Sequence, residues 1–92
     1  KVRPALVLSN NEFNKGEDVV ICAITSNIQK TAYTLIINQE DVEMGALRNA
    51  SAVKTESLLK IKKTRVLKII GTLKPTPFKK AINLIYQLFR TS

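Results

Sequence analysis

The sequence predicts a mainly β domain that ends in an α-helix, with the strands arranged as a small antiparallel barrel. Short apolar and β-branched segments recur along residues 4–73 and are separated by polar, turn-forming segments. The end of the chain instead repeats its apolar residues at spacings of three and four, the period of a helix. At 92 residues, the chain is expected to form a single domain, residues 1–92, around one modest core.

The first predicted strand is PALVLS, residues 4–9. Pro4 suits the start of a strand because proline fixes φ and has no N–H to donate to a neighbouring strand. Residues 10–17 are polar and rich in asparagine, which predicts a loop, and Phe13 is expected to pin this loop to the body of the domain.

The strongest strand candidate is DVVICAIT, residues 18–25. Almost all of its residues are β-branched or apolar, which predicts a central strand covered on both faces. A third strand is expected at residues 32–38, after the polar segment SNIQKT, because polar and apolar positions alternate there.

The second half of the chain predicts further strands and one ambiguous segment. Strands are expected at residues 50–55 and 57–63, and in the latter Leu59 and Ile61 are predicted to form an apolar face opposite a basic one. Residues 64–73 fit a strand as well as a short helix that leads into a strand.

A C-terminal helix is predicted over residues 77–90. Thr76 offers a hydroxyl that can cap this helix, and Pro77 suits its first position. The predicted core-facing stripe consists of Phe78, Ala81, Ile82, Ile85, Leu88 and Phe89.

The charge of the chain is strongly basic. Fifteen Lys and Arg against seven Asp and Glu leave a net charge of +8, which predicts a polyanionic partner such as a nucleic acid. Cys22 is the single cysteine, so an internal disulfide is excluded and a reducing cytoplasm is the expected location. No segment approaches the roughly 18 to 20 apolar residues of a membrane span, so no membrane contact is expected.

Missing residue types exclude several kinds of site. The chain has no histidine, so Ser-His-Asp and Cys-His catalysis and zinc sites built from His and Cys cannot form. Its three glycines, at positions 16, 45 and 71, are isolated and do not form a phosphate-binding loop. No metal and no cofactor are therefore expected.

Four segments in order along the chain resemble the MazF/PemK family of toxin endoribonucleases. They are RPALVLS at 3–9, VICAITS at 20–26, GALRNASAVKTESLLKI at 45–61 and IIGTL at 69–73. The resemblance implies an SH3-like barrel with a C-terminal helix, and a homodimer that cleaves single-stranded RNA until a cognate antitoxin covers the site. The family's N-terminal strand has no counterpart before Lys1, so one strand of the barrel is expected to be missing.

By this resemblance the catalytic arginine falls on Arg3 and the catalytic threonine on Thr25, with Ser26 beside it. Metal-free RNA cleavage uses the ribose 2′-hydroxyl as nucleophile and places negative charge on the phosphate in the transition state. Arg3 suits the stabilisation of that charge, because a guanidinium donates two parallel hydrogen bonds to phosphate oxygens. It does not suit proton abstraction, because arginine keeps its proton at neutral pH.

Further residues are expected to contact RNA through the same resemblance: Asn10, Asn14 and Lys15 in the first loop, and Ser51 and Lys54 in the segment from 45 to 61. The chain has few aromatic residues, so base selection is expected to rest on hydrogen bonds. The outer edge of the C-terminal helix is expected to serve the twofold interface, together with isolated apolar residues such as Ile28 and Met44.

The sequence leaves two other classes of function open. A CcdB-like toxin of the same barrel type poisons DNA gyrase and has no nuclease activity, although the presence of Arg3 and Thr25 argues against it. A non-catalytic SH3-like module would bind RNA or DNA through the lysines of residues 54–68, and would retard nucleic acid in a gel without cutting it.

Overall fold

The computed structural model describes residues 2–91. Six strands and two helices follow one another in the order β1 (Ala5–Val7), α1 (Asn11–Asn14), β2 (Asp18–Thr25), β3 (Thr34–Ile37), β4 (Val42–Gly45), β5 (Ser51–Lys62), β6 (Gly71–Leu73) and α2 (Pro75–Leu88). Short 3₁₀ turns occupy Gln39–Asp41 and Lys63–Arg65. None of the helices in this part of the chain has the length and apolar character that a membrane crossing requires.

The strands form two antiparallel sheets. A four-stranded sheet has the order β1-β2-β5-β3, and a two-stranded sheet pairs β4 with β6. The result is a curled half-barrel followed by a C-terminal helix. The predicted mainly β, antiparallel architecture with a C-terminal helix is therefore confirmed.

The core lies on one side of β2. Cys22 on β2, Ile37 on β3 and Val53 on β5 are buried together, and partly buried leucines and isoleucines pack around them. β2 is an interior strand of its sheet, as predicted, but only Val19 and Cys22 of its eight residues are buried. Val19 and Cys22 lie on opposite faces of the strand, and the other six residues are half-buried, so the expected cover on both faces is present but incomplete.

β5 is one long strand where two were predicted. Its pairing with β2 jumps from Leu58, opposite Cys22, to Lys54, opposite Ala23, so the strand continues through an irregularity. This irregularity also corrects the predicted apolar face: Leu58 packs against the core, whereas Leu59 is 58% exposed. Extra residues in a strand shift the alternation that follows them, and the sequence pattern does not reveal such a shift.

The first predicted loop contains the short helix α1. The side chain of Asn10 caps it by accepting a hydrogen bond from the backbone N–H of Phe13 at 2.9 Å. Phe13 is 46% exposed and lines a shallow pocket with Leu8 and Val20, so it packs against the domain only in part.

The last helix, α2, begins two residues earlier than predicted. Pro75 takes its first position, Lys74 is the N-cap residue, and no side chain caps the helix, so Thr76 does not serve as the cap. The buried residues are Pro77 and Ala81, on the face that packs against β5 and β3. Two residues of the predicted core stripe lie outside this face, since Ile82 is 40% and Phe89 70% exposed.

The ambiguous segment 64–73 resolves into part of a 3₁₀ turn, irregular chain and strand β6. β6 approaches β4 very closely where Gly45 faces Gly71. Gly45 has a φ of +98°, a conformation that favours glycine, and this explains why glycine stands there.

Candidate active site

An open cavity of about 300 Å³ lies where the segment before β1, the end of β2 and the first half of β5 meet. Its lining combines two basic residues, one carboxylate, and several hydroxyl and amide side chains. The lining residues are Arg3, Pro4, Ala23, Ile24, Thr25, Asn27, Gln29, Thr31, Ala52, Lys54, Glu56 and Ser57.

The pairing of β1 with β2 brings Arg3 and Thr25 into this cavity. Ala5 lies opposite Ala23, and the N–H of Ile24 donates a hydrogen bond to the carbonyl oxygen of Pro4 at 3.3 Å. This bond holds the residues just before β1 beside the end of β2. Arg3 and Thr25 both line the cavity.

Thr25 ends β2 and shapes the turn that follows. Its Oγ1 accepts a hydrogen bond from the backbone N–H of Asn27 at 3.1 Å, which fixes the rotamer of the side chain. The hydroxyl proton remains available for a second partner. The neighbouring Ser26 is exposed and does not belong to the cavity lining.

β5 supplies the floor and one charged edge of the cavity. Ala52, Lys54 and Glu56 occupy alternate positions and all three line it. Between them, Thr55 points into the core, where it is fully buried and donates a hydrogen bond from Oγ1 to the carbonyl oxygen of Tyr33 at 2.7 Å. Lys54 Nζ lies 3.9 Å from Glu56 Oε2, so the two form a loose ion pair.

The thiol of Cys22 is not a candidate nucleophile for the cavity. Burial, and to a lesser extent the negative charge of Glu56, raises the pKa of Cys22 to about 11. The thiol therefore stays protonated at neutral pH and is a core side chain, not a nucleophile.

The structure does not bring the remaining predicted RNA contacts to the cavity. Asn10 caps α1, and Asn14 holds the same turn through a hydrogen bond from Nδ2 to the carbonyl oxygen of Ser9 at 3.0 Å. Lys15 forms an exposed ion pair with Glu12 at 3.4 Å.

Ser51 is also engaged elsewhere, since it is buried and donates a hydrogen bond to the carbonyl oxygen of Asn49 at 3.1 Å. Of the eight residues predicted for the site, Arg3, Thr25 and Lys54 thus line the cavity together.

Sequence reasoning missed several lining residues. Asn27, Gln29 and Thr31 belong to the polar segment after β2, and the sequence offered a signal for them in the polar run SNIQKT that directly follows the central strand. Glu56 shares a face of β5 with the predicted Lys54 and could have been found by strand alternation, whereas Ser57 carried no such signal, because it departs from that alternation at the irregularity in β5.

No group of three or more His, Cys, Asp or Glu side chains within residues 2–91 is arranged to hold a metal ion. The polar groups of the cavity are instead cations, hydroxyls and amides, apart from the single carboxylate. Such a set suits the binding of a phosphate diester.

Comparison with known proteins identifies the family. The family described as PemK-like, MazF-like toxin of type II toxin-antitoxin system matches residues 1–89. This chain belongs to the PemK/MazF toxin family. No curated protein sequence matches it.

Solved structures of a toxin and of two endoribonucleases share the fold. The Mycobacterium tuberculosis toxin MazF-mt6 superposes with a TM-score of 0.82 at 21% identity, over 97% of this chain and 87% of that one. An endoribonuclease from a mycobacterial species gives 0.80 at 18% identity, over 94% and 78%. A mycobacterial endoribonuclease in complex with its cognate antitoxin gives 0.83 at 17% identity, over 100% and 86%.

Proposed function

We propose that this PemK/MazF toxin is an endoribonuclease that cleaves single-stranded RNA without a metal ion. The observation that carries the proposal is that Arg3 and Thr25 line the same cavity. Family membership and the two solved relatives described as endoribonucleases support the same reaction class. The basic charge of +8 favours a polyanionic substrate.

The reaction begins with attack of the ribose 2′-hydroxyl on the adjacent phosphorus. The bond from phosphorus to the 5′-oxygen breaks, leaving a 2′,3′-cyclic phosphate and a 5′-hydroxyl. Arg3 donates two hydrogen bonds to the phosphate oxygens, and Lys54 adds a second positive charge to the same cavity. The Thr25 hydroxyl, held by the turn at Asn27, donates to the phosphate or orients the 2′-hydroxyl.

An antitoxin is the protein partner in this proposal. One of the solved relatives is in complex with its cognate antitoxin. An acidic, disordered antitoxin segment suits a toxin surface of +8 and competes with RNA for the basic cavity. Inhibition by the antitoxin is then weakened by added salt. In this proposal the toxin acts in the cytoplasm, because that compartment contains RNA and keeps thiols reduced.

A second copy of the chain is the other partner we propose. Large apolar side chains are exposed on α2, at Ile82, Tyr86 and Phe89, and elsewhere at Met44 and Ile69. A homodimer would bury part of this apolar surface. Light scattering on the purified protein is then expected to give twice the chain mass of 10.3 kDa.

The proposed function is tested by incubating a long single-stranded RNA with antitoxin-free protein in excess EDTA. The intact protein is expected to produce discrete fragments with cyclic phosphate ends. Arg3→Ala is expected to slow cleavage by roughly 10²- to 10³-fold, because it removes preorganised donors to the phosphate. Lys79→Ala, which removes an exposed cation of α2 away from the cavity, serves as the matched control.

RNA left whole by folded wild-type protein would reject the nuclease and favour the two alternatives. A gel shift without product would then point to a nucleic-acid-binding module. Inhibition of DNA gyrase in the absence of RNA cleavage would point to a CcdB-like poison.

A further inference from the structure

A second concentration of positive charge lies outside the cavity. The segment KIKKTRVLK, residues 60–68, contains five cations and no acidic residue. It therefore holds one third of the fifteen lysines and arginines of the chain. All five cations are exposed, and none of them lines the cavity. Together they form the distal basic surface, which consists of Lys60, Lys62, Lys63, Arg65 and Lys68.

The distal basic surface lies at the opposite end of the sheet from the cavity. The last residue of β2, Thr25, lies opposite Ala52 of the cavity, whereas its first residue, Asp18, lies opposite Lys62. Seven residue steps of about 3.3 Å separate the two ends of β2, so the two places are about 23 Å apart. A phosphate held by Arg3 in the cavity therefore does not contact these cations.

Hydrogen bonds anchor the distal basic surface to the rest of the domain. A 3₁₀ turn, Lys63–Arg65, follows β5, and the N–H of Val66 donates to the carbonyl oxygen of Lys63 at 3.0 Å. The N–H of Lys63 donates to the carbonyl oxygen of Glu17 at 2.8 Å, and its Nζ donates to that of Asn14 at 2.7 Å. These bonds tie the end of β5 to the loop between β1 and β2. Cations on an anchored turn lose less conformational entropy when a ligand binds.

The acidic residues nearby balance only part of this charge. Lys60 Nζ lies 3.9 Å from Asp18 Oδ2. Lys62 Nζ lies 3.9 Å from Glu17 Oε1. Both contacts are longer than the roughly 2.7 to 2.9 Å of a charge-assisted hydrogen bond. The other three cations of the surface form no ion pair with a carboxylate among residues 2–91. Concentrated like charge repels itself, and a bound polyanion relieves that repulsion.

Single-stranded RNA is the polyanion that the proposed function already brings to this protein. A strand held in the cavity carries further phosphates on both sides of the cleaved position. If the strand is long enough to cover about 23 Å, these phosphates stay at a high local concentration near the distal basic surface. A second contact then adds affinity without any change in the cavity. Leu67 and Ile69, which flank Lys68, are exposed as well, so a lipid surface and an acidic protein are the competing occupants.

We propose that the distal basic surface binds phosphates of the RNA strand outside the segment that is cleaved, an inference that rests on the endoribonuclease function proposed above. The cavity selects the phosphate that is cut, and the distal basic surface holds the strand beyond it. The toxin therefore prefers long RNA to fragments that fill the cavity alone. Short products also leave more easily than the uncut strand.

The test compares two triple variants that remove the same charge. The distal variant keeps Lys63, because the side chain of this residue bonds to the backbone of Asn14. Its substitutions are Lys62→Gln, Arg65→Gln and Lys68→Gln. The control variant changes exposed cations outside both the cavity and the distal basic surface, namely Lys79→Gln, Lys80→Gln and Arg90→Gln. Circular dichroism verifies that each variant is folded, and light scattering determines its mass.

Binding is measured with RNA that carries a 2′-O-methyl group at a mapped cleavage site and therefore stays intact. One RNA of about 5 nucleotides covers the cavity alone, and a second of about 30 nucleotides extends to both sides of the same site. Affinities are determined at several salt concentrations. Cleavage of the unmethylated RNAs in EDTA gives kcat and KM.

We expect the wild type and the control variant to bind the long RNA at least about 10-fold more tightly than the short one. The distal variant is expected to lose most of this difference. Its slope of log affinity against log salt concentration for the long RNA is expected to fall by about 2, since each lost phosphate contact removes about 0.7. Its affinity for the short RNA and its kcat are expected to match the wild type, whereas its KM for the long RNA rises.

An equal loss of affinity for the two RNAs in the distal variant would overturn the proposal, because it would indicate a general effect of net charge. An equal loss in the control variant would do the same, as would a wild type that binds both RNAs alike. These outcomes are distinct from failure of the proposed function, in which the wild-type protein leaves the unmethylated RNA intact whether or not length affects binding.

The competing occupants are tested with vesicles of phosphatidylglycerol and with polyglutamate. If the distal variant loses binding to either probe but keeps wild-type affinity for the long RNA, the surface serves a lipid or an acidic protein and the proposal is wrong. A changed mass of the distal variant in light scattering would instead assign the surface to the contact between two copies, and would equally overturn it.

Discussion

Ile24 donates its backbone N–H to the carbonyl oxygen of Pro4 at 3.3 Å, and this hydrogen bond holds the segment before β1 beside the end of β2, where Arg3 and Thr25 line the same cavity. A hydrogen-bonded pair in an antiparallel ladder normally exchanges two such bonds. Proline has no N–H, so this pair makes only one such bond, and the regular pairing of β1 with β2 begins at Ala5. The proline thus ends the ladder while its carbonyl still holds the arginine beside the end of β2.

Replacing Thr25 tests whether its hydroxyl takes part in catalysis. Thr25→Val keeps the shape of the side chain but removes both the acceptor for the Asn27 N–H and the free hydroxyl proton. We expect cleavage in EDTA to fall by about 10²-fold, the usual cost of losing one transition-state donor, and Thr25→Ser to keep most of the activity. Thr72→Val, on exposed β6, is the control. A fully active Thr25→Val enzyme would remove Thr25 from the mechanism.

Lys54 is expected to contribute one phosphate contact to RNA binding. For single-stranded nucleic acid, each such contact adds about 0.7 to the slope of log affinity against log salt concentration. Lys54→Ala is therefore expected to lower the slope measured with 2′-O-methyl RNA by about that amount, whereas Lys79→Ala leaves it unchanged. An unaltered slope in Lys54→Ala would show that the phosphate does not reach this lysine.

Gly45 is expected to tolerate no side chain. Its φ is +98°, and a Cβ added there would collide with the carbonyl oxygen of Ile70 and the Cα of Gly71. Gly45→Ala is expected to lower the free energy of unfolding by about 1 to 3 kcal/mol from backbone strain, and by more if the collision is not relieved; urea denaturation measures the loss. At Gly16 an added Cβ meets only the Phe13 carbonyl oxygen at 3.5 Å, so Gly16→Ala is expected to change stability by less than about 1 kcal/mol.

The buried thiol predicts a loss of stability at alkaline pH. The pKa of Cys22 is raised from 9.0 to about 11 in the folded protein, so between these values the unfolded chain releases a proton that the folded chain keeps. This contribution to stability is complete below pH 9 and is lost as the pH rises to about 11. The loss is on the order of 1 to 2 kcal/mol after allowance for partial solvent screening.

Urea denaturation at several pH values from 8 to 11, with the wild type and Cys22→Ala compared, isolates this effect from the titration of lysines and tyrosines. The wild-type free energy of unfolding is expected to fall more steeply with pH than that of Cys22→Ala. Parallel curves for the two proteins would mean that the thiol ionises equally well in the folded and the unfolded chain.

Part of the fold follows from local pattern. The run of β-branched and apolar residues in 18–25 indicates an interior strand, because a strand without a polar face needs packing on both faces. The three- and four-residue spacing near the C-terminus identifies α2 for a similar reason, since a helix can bury only one stripe. The exact start of α2 was mispredicted because both Pro75 and Pro77 can occupy a first turn, and packing decides between them.

The candidate site, like the fold, was predicted from the sequence only in part. The sequence by itself determined the family and a mainly β fold with a final helix, because these depend on the order of short segments and on their periodicity. Through the family resemblance it also indicated Arg3 and Thr25, which line one cavity. Only the tertiary structure decided that Leu58 and not Leu59 faces the core, and that Ser57 lines the cavity beside Glu56. Both results depend on three unmatched residues in β5, and such a mismatch exists only between two paired strands.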